Sequence, residues 1–232
     1  MRQPQLLERT TWRKTKDYMH NVQAQMSRWY GRPRGGMLTD LTLKKQRVIF
    51  IHVPKCGGTS LGKLLHVKRL SHALPREVLR EKSWLAHYSI ATVRNPFDRF
   101  LSSYYSTVLR PDDNGLTKRY GRIVKELDPF EYLHFCKVSG NNPPQVNWTH
   151  YPSHIKPQAD LVLRFEEISD WINHMESAGL DVQGRVMHHH NKSGRTGSNH
   201  LEKLKLSHSE FERLKDEVRS FYEQDYVTFG YT

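Results

Sequence analysis

Two short stretches hold residues whose types and order could do chemistry. The first is His52-Val53-Pro54-Lys55-Cys56-Gly57-Gly58-Thr59-Ser60. Gly57 and Gly58 let the backbone turn tightly and bring N–H groups close to an anion. Thr59 and Ser60 add hydroxyl donors at a helix N-terminus, whose dipole also favours negative charge, and Lys55 can reach over the loop. The combination describes a phosphate cradle; the plainer reading is a glycine turn with a solvated lysine. The second stretch is Thr92-Val93-Arg94-Asn95-Pro96-Phe97-Asp98-Arg99-Phe100-Leu101-Ser102-Ser103-Tyr104-Tyr105. Arg94 falls at the carboxyl end of an expected strand, where ligands bind in open α/β sheets. Ser102 follows eight residues later, about two helical turns on. Such an Arg–Ser pair can converge on a second phosphate group. Asp98 and Arg99 suit ordinary structural ion pairs instead.

The cradle is not spaced as a nucleoside-triphosphatase loop. That motif needs Gly-x-x-x-x-Gly-Lys-Ser/Thr. Aligned on Gly58, its first glycine position is Val53 and its lysine position is Thr59. No expected strand ends in an Asp that could hold Mg²⁺ in the usual way. A nucleotide kinase is the rival within the same broad fold, and it needs both features.

The elements that must position these residues follow from periodicity. Arg47 to Val53 reads as a buried strand, β-branched and almost continuously apolar. A helix is expected from Ser60 to Leu65. A second strand, Tyr88 to Val93, leads into a helix with Phe97, Phe100, Leu101, Tyr104, Tyr105 and Val108 at helical spacing. Pro96 suits its first turn. A third strand, Leu161 to Phe165, precedes a helix through Ile168, Trp171, Ile172 and Met175. Ser207-His208-Ser209-Glu210 offers a capping box for a closing helix. Strands alternating with helices predict an α/β fold: a three-layer sandwich with a central parallel sheet and helices on both faces. Residues 110–127 and 139–158 read as long loops, which on such a scaffold often carry binding function.

Together the two motifs resemble the sulfotransferases that use 3′-phosphoadenosine 5′-phosphosulfate (PAPS), most closely the Golgi-type carbohydrate sulfotransferases and their bacterial relatives. In that family a strand–loop–helix of the form Pro-Lys-x-Gly-Gly-Thr-Ser binds the 5′-phosphosulfate, here Pro54-Lys55-Cys56-Gly57-Gly58-Thr59-Ser60. A later Arg with a Ser eight residues on binds the 3′-phosphate, here Arg94 and Ser102. The segments Asp160 to Glu166, His190 to Ser193 and Tyr222 to Tyr231 are also similar to the family's, so the resemblance covers about residues 47–231. It implies sulfuryl transfer from PAPS to a hydroxyl acceptor, a glycan or glycolipid above all, with no metal required.

Sulfuryl transfer needs in-line positioning, stabilisation of leaving-group charge and a base for the nucleophile. Lys55 suits the charge on the bridging oxygen. A histidine of near-neutral pKa suits the proton. Among 14 histidines, His72 lies where the family's base often stands, and His87, just before the second strand, is the alternative. His52 is expected to face a neighbouring layer of the fold. His154 and Gln158, in another family-like segment, are expected to line the acceptor cleft, and Lys192 and Ser193 to touch the cofactor. His188-His189-His190 raises a metal site as a rival, but adjacent side chains diverge on a strand and neither cysteine is near in sequence.

Composition bounds the rest. The chain has 232 residues, with 36 Lys+Arg against 24 Asp+Glu and a net charge of +12. Such charge favours an anionic partner, and a nucleic-acid-binding module is the rival from another class. Its binding would be strongly salt-dependent. Residues 1–39 carry 8 Lys+Arg against 2 Asp+Glu. Apolar spacing from Tyr18 to Trp29 suggests a helix over about residues 10–30. Residues 1–46 are therefore expected to form a basic helical arm, packed on the main domain or docked on a membrane, and residues 47–232 the sulfotransferase domain. No apolar run approaches the roughly 18 residues of a membrane span, and residues 1–20 lack a signal-peptide core. Two cysteines make no disulfide framework. The cytoplasm, peripheral to a membrane through the arm, is the expected location; the Golgi lumen would require that the sequence had been trimmed of an anchor.

Overall fold

Val48-Ile49-Phe50-Ile51 is apolar at every position, and every one of these side chains is buried. In a strand, successive side chains point to opposite faces, so this run must be covered on both sides. Val48 and Phe50 pack with Leu61, Leu65, Ile90, Leu163, Trp171 and Met175. Ile49 and Ile51 pack with Trp84, Ala91 and Trp148 in a separate cluster. The two clusters are the two interfaces of a three-layer α/β sandwich.

The computed structural model describes residues 37–67, 72–109, 115–187 and 200–232. The strands are β1 (Leu38–Leu43), β2 (Gln46–Ile51), β3 (Tyr88–Val93) and β4 (Leu161–Arg164). The helices are α1 (Gly58–Leu64), α2 (Pro75–Val78), α3 (Glu81–Ala86), α4 (Pro96–Thr107), α5 (Gly115–Tyr120), α6 (Pro129–Ser139), α7 (Val146–Thr149), α8 (Trp171–Ser177), α9 (His200–Leu204), α10 (His208–Phe221) and α11 (Glu223–Phe229). The sheet runs in the order β1-β2-β3-β4. β2, β3 and β4 are parallel, and β1 is an antiparallel edge. A third cluster, around Phe100, Tyr104, Tyr132, Leu133, Leu214, Val218 and Tyr222, packs α4 against α6 and α10.

The parallel sheet with helices on both faces agrees with the sequence reading. The start of the core does not. β1 lies in the segment read as a helical arm, and it pairs with β2 across a two-residue turn, Leu43 facing Gln46. The turn residues are Lys44 and Lys45, at φ 48° and 69°. Positive φ at both central positions is what a tight hairpin demands, and Asn-Gly is its usual signature. Two lysines hide the turn from a reading based on residue type. The loops expected at 110–127 and 139–158 also carry structure: α5, a 3₁₀ turn at Arg122–Lys125, and α7. The helix expected over residues 10–30 lies outside the described residues, as do His188 to His190, Lys192 and Ser193. Cys56 and Cys136 are buried free thiols. Among the described residues no helix is long and apolar enough to cross a membrane.

Candidate active site

Strand register brings the two motifs together. Ile51 pairs with Ala91 in parallel, so the loop after β2 and the residue after β3 leave the sheet side by side, at its carboxyl end. β3 pairs with β4 so that Val93 faces Arg164. The next residues on each chain, Arg94 and Phe165, therefore meet, and the guanidinium lies 4.5 Å from the ring centroid. The stacking orients the planar cation. Its Nε is buried without a hydrogen-bond partner among the described residues, a donor still to be satisfied.

The loop between β2 and α1 has unusual backbone. Lys55 sits at φ 69° and Gly57 at φ 75°, and left-handed backbone strains a residue with a Cβ. Both glycines are required for space as well. A Cβ on Gly57 would come within 2.8 Å of the Phe165 ring, and one on Gly58 within 2.0 Å of His52. No side chain caps the N-terminus of α1, and its first turn contains no acidic residue. Lys55, Gly57 and Thr59 keep partial exposure, while Ser60 is only 4% exposed.

Buried polar groups hold this loop in place. Arg99 is wholly buried. Its Nε donates to the Pro54 carbonyl at 3.1 Å and its Nη1 to the Pro143 carbonyl at 3.0 Å. The ion pair expected for Arg99 is thus replaced by bonds to two backbone carbonyls. The Cys56 thiol donates to Gln145 Oε1 at 3.1 Å; burial pushes its pKa up to about 12, so it stays protonated and is no nucleophile. Gln145 Oε1 also accepts from the Arg94 N–H, and Gln145 Nε2 donates to the Arg94 carbonyl, both at 2.8 Å. Asp225 accepts from the N–H groups of Gln145 and Val146 at 2.7 and 3.0 Å. Glu166 accepts from the Asn95 N–H at 2.7 Å and the Tyr231 hydroxyl at 2.9 Å. Asn95 caps α4 by accepting from the N–H groups of Phe97 and Asp98. Gln145, Asp225 and Glu166 had no role assigned on sequence, and Arg99 only an ion pair. Each acts through backbone groups, which no residue pattern reveals.

His72 stands beside this loop. Its ring centroid is 4.1 Å from that of His52, and its Nδ1 is 3.2 Å from the His52 carbonyl. A carbonyl only accepts, so Nδ1 carries the proton and Nε2 keeps a lone pair. Burial lowers the His72 pKa below the usual imidazole value. The carbonyl bond works against this, and the charges of Lys55 and Arg99 reinforce it. The imidazole is therefore neutral at pH 7, as a base must be. His52 itself is an inner-layer residue, 7% exposed and stacked on Phe50; burial lowers its pKa to about 3.

The structure does not bring His87 to this site. His87 precedes β3 at the amino end of the sheet, roughly 20 Å from Arg94 at a strand rise of about 3.3 Å per residue. Its Nδ1 bonds the Ser83 carbonyl. Ser102 is half-buried on α4. His154 and Gln158 are exposed on the loop leading to β4. Lys156 fastens that loop to the carbonyls of Trp84 and His87 and to Asp160, toward the amino end of the strands. No hydrogen bond ties either side chain to the cradle among the described residues. Among the same residues no group of three His, Cys, Asp or Glu side chains could hold a metal ion.

The arrangement can hold two anionic groups on adjoining strand ends, with a cation and a neutral imidazole beside the first. A family model described as the sulfotransferase family matches residues 41–232. No curated protein and no solved structure matches the chain.

Proposed function

Because the chain belongs to the sulfotransferase family, we propose that it transfers a sulfuryl group from PAPS to a hydroxyl of a carbohydrate acceptor. The observation that carries the donor is the pairing of the Gly57-Gly58 loop with Arg94 at adjacent strand ends. Two anion sites linked by the sheet suit a donor with phosphate groups at both ends of its ribose. The loop takes the 5′-phosphosulfate, and Arg94 with Ser102 the 3′-phosphate. The buried Nε of Arg94, without a hydrogen-bond partner among the described residues, supports this fit.

In the transfer, the acceptor oxygen attacks sulfur as the bond between sulfur and the bridging oxygen breaks. His72 Nε2 takes the acceptor proton, and Lys55 stabilises the negative charge left on the bisphosphate. His72 feels the charge of Lys55, so the proton acceptor and the charge stabiliser act within reach of each other's field. The glycan preference rests on the net charge of +12, which suits an anionic polysaccharide. The basic segment before β1 would add membrane contact, and a reducing compartment suits the free thiols; both belong to this proposal.

The test is transfer of labelled sulfuryl from PAPS to a panel of glycans, glycolipids and phenols, without added Mg²⁺. Labelled glycan is the expected product. Labelling of phenols alone would overturn the acceptor class, and absence of transfer to every acceptor would overturn the donor.

A further inference from the structure

Gln145 is wholly buried, and it bridges the two loops that the proposed donor would span. Its Oε1 accepts from Cys56 in the cradle and from the N–H of Arg94, and its Nε2 returns a bond to the Arg94 carbonyl. Its own N–H, with that of Val146, is held by Asp225 on α11. Both lone pairs of Oε1 are taken within the protein, so Gln145 does not act on a ligand through that atom. What it fixes is the distance between the cradle and the backbone that carries Arg94.

We infer that Gln145 is a positioning residue that locks the Arg94 loop to the glycine cradle, making discrimination for a 3′-phosphate depend on a side chain placed behind both anion sites. An amide suits this place for a chemical reason. It offers an acceptor to the N–H of Arg94 and a donor to its carbonyl, so one planar group clamps both backbone polar atoms of that residue. A carboxylate in the same shape would face the carbonyl with a second acceptor, and an aliphatic chain would leave both groups unpaired in the interior.

The inference rests on the PAPS reading, and its test separates the two. Calorimetry would compare adenosine 3′,5′-bisphosphate with adenosine 5′-monophosphate on the wild type, Gln145→Glu and Gln145→Leu. The wild type should prefer the bisphosphate. Each variant should lose at least about fivefold of that preference, within the usual range of coupling between neighbouring groups, while its affinity for the monophosphate falls less. Equal losses for both nucleotides, or an unchanged preference, would overturn the role of Gln145. A wild type that binds both equally would overturn the 3′-phosphate reading itself. Should the variants fail to fold, amide hydrogen exchange on the wild type decides. The bisphosphate should slow exchange at the Arg94, Gln145 and Val146 N–H groups more than the monophosphate does, and equal slowing would overturn the proposal.

Discussion

At the scale of single residues, the site divides into groups that would touch the donor and acceptor and groups that hold them. In the proposed reaction His72 is in the first set. His72→Ala should lower kcat about 10²–10⁴-fold, the usual worth of a general base, with the affinity for the bisphosphate nearly intact. Burial and the neighbouring cations depress its pKa, so the acid limb of the wild-type rate should lie below pH 6.5 and vanish in the variant. A limb at or above 6.5 would remove His72 from the role. Lys55→Ala should reduce kcat by more than it raises the donor KM, because charge on the leaving group develops in the transition state; a change confined to KM would make Lys55 a ground-state binder only. The glycine turn after β2 and the place of Arg94 directly after β3 were legible in the sequence because each is a local pattern of type, order and spacing. The choice between His72 and His87 was not. It turns on the end of the sheet each one lies at: His72 bonds the His52 carbonyl just after β2, whereas His87 precedes β3.

At the scale of elements, helix α1 starts where it does because the cradle leaves no room for anything but glycine. Gly58→Ala should push the His52 ring toward His72, since the new Cβ would stand 2.0 Å from it. Overpacking of that kind costs about 1–3 kcal/mol, and turnover should fall with it because His72 leans on the same ring. Unchanged thermal stability and turnover would show that the ring can swing aside freely. Arg99 on α4 makes a second case. Its removal in Arg99→Ala would take the guanidinium from the Pro54 and Pro143 carbonyls and leave the Cys56 thiol as the other donor to Pro54, at about 1–3 kcal/mol for a polar group left unpaired. Denaturant unfolding should show a midpoint loss of that order with an unchanged slope, and a neutral result would mean that solvent replaces the guanidinium. The alternation of strands and helices was legible because both faces of β2 are apolar. β1 was not, since Lys44-Lys45 carries none of the residue types that mark a tight hairpin, and Gln145 was not, since it lies in a segment of little pattern whose partners are 51 and 80 residues away.

At the scale of the whole molecule, the closing segment is tied to the site by carboxylates that bind backbone and hydroxyl groups. Asp225 holds Gln145 and Val146, and Glu166 joins Asn95 to Tyr231. Stability and site geometry are thereby shared, and the buried histidines give that stability a pH dependence of definite sign. His52 is neutral in the folded chain, its pKa lowered to about 3 by burial and by the charge of His72. In the unfolded chain it titrates near 6.5. Below pH 6.5 the unfolded state therefore binds more protons, and stability falls with pH until the folded pKa is reached. His72, also depressed, acts with the same sign. Asp225 is raised by burial and acts with the opposite sign; it is common to the wild type and a His52 variant, so comparing the two between pH 7 and 5 isolates the histidine. Over that window the His52 contribution should amount to about 2 kcal/mol, at about 1.4 kcal/mol per pH unit below 6.5. Denaturant unfolding of the wild type and His52→Asn at several pH values tests this. The variant should be less stable at pH 7, because a stacked ring is lost beside Phe50 and His72, yet its stability should decline less steeply toward pH 5. Parallel declines for the two proteins would mean that His52 takes up its proton without unfolding the chain, through an opening of the layer between β2 and the His72 segment.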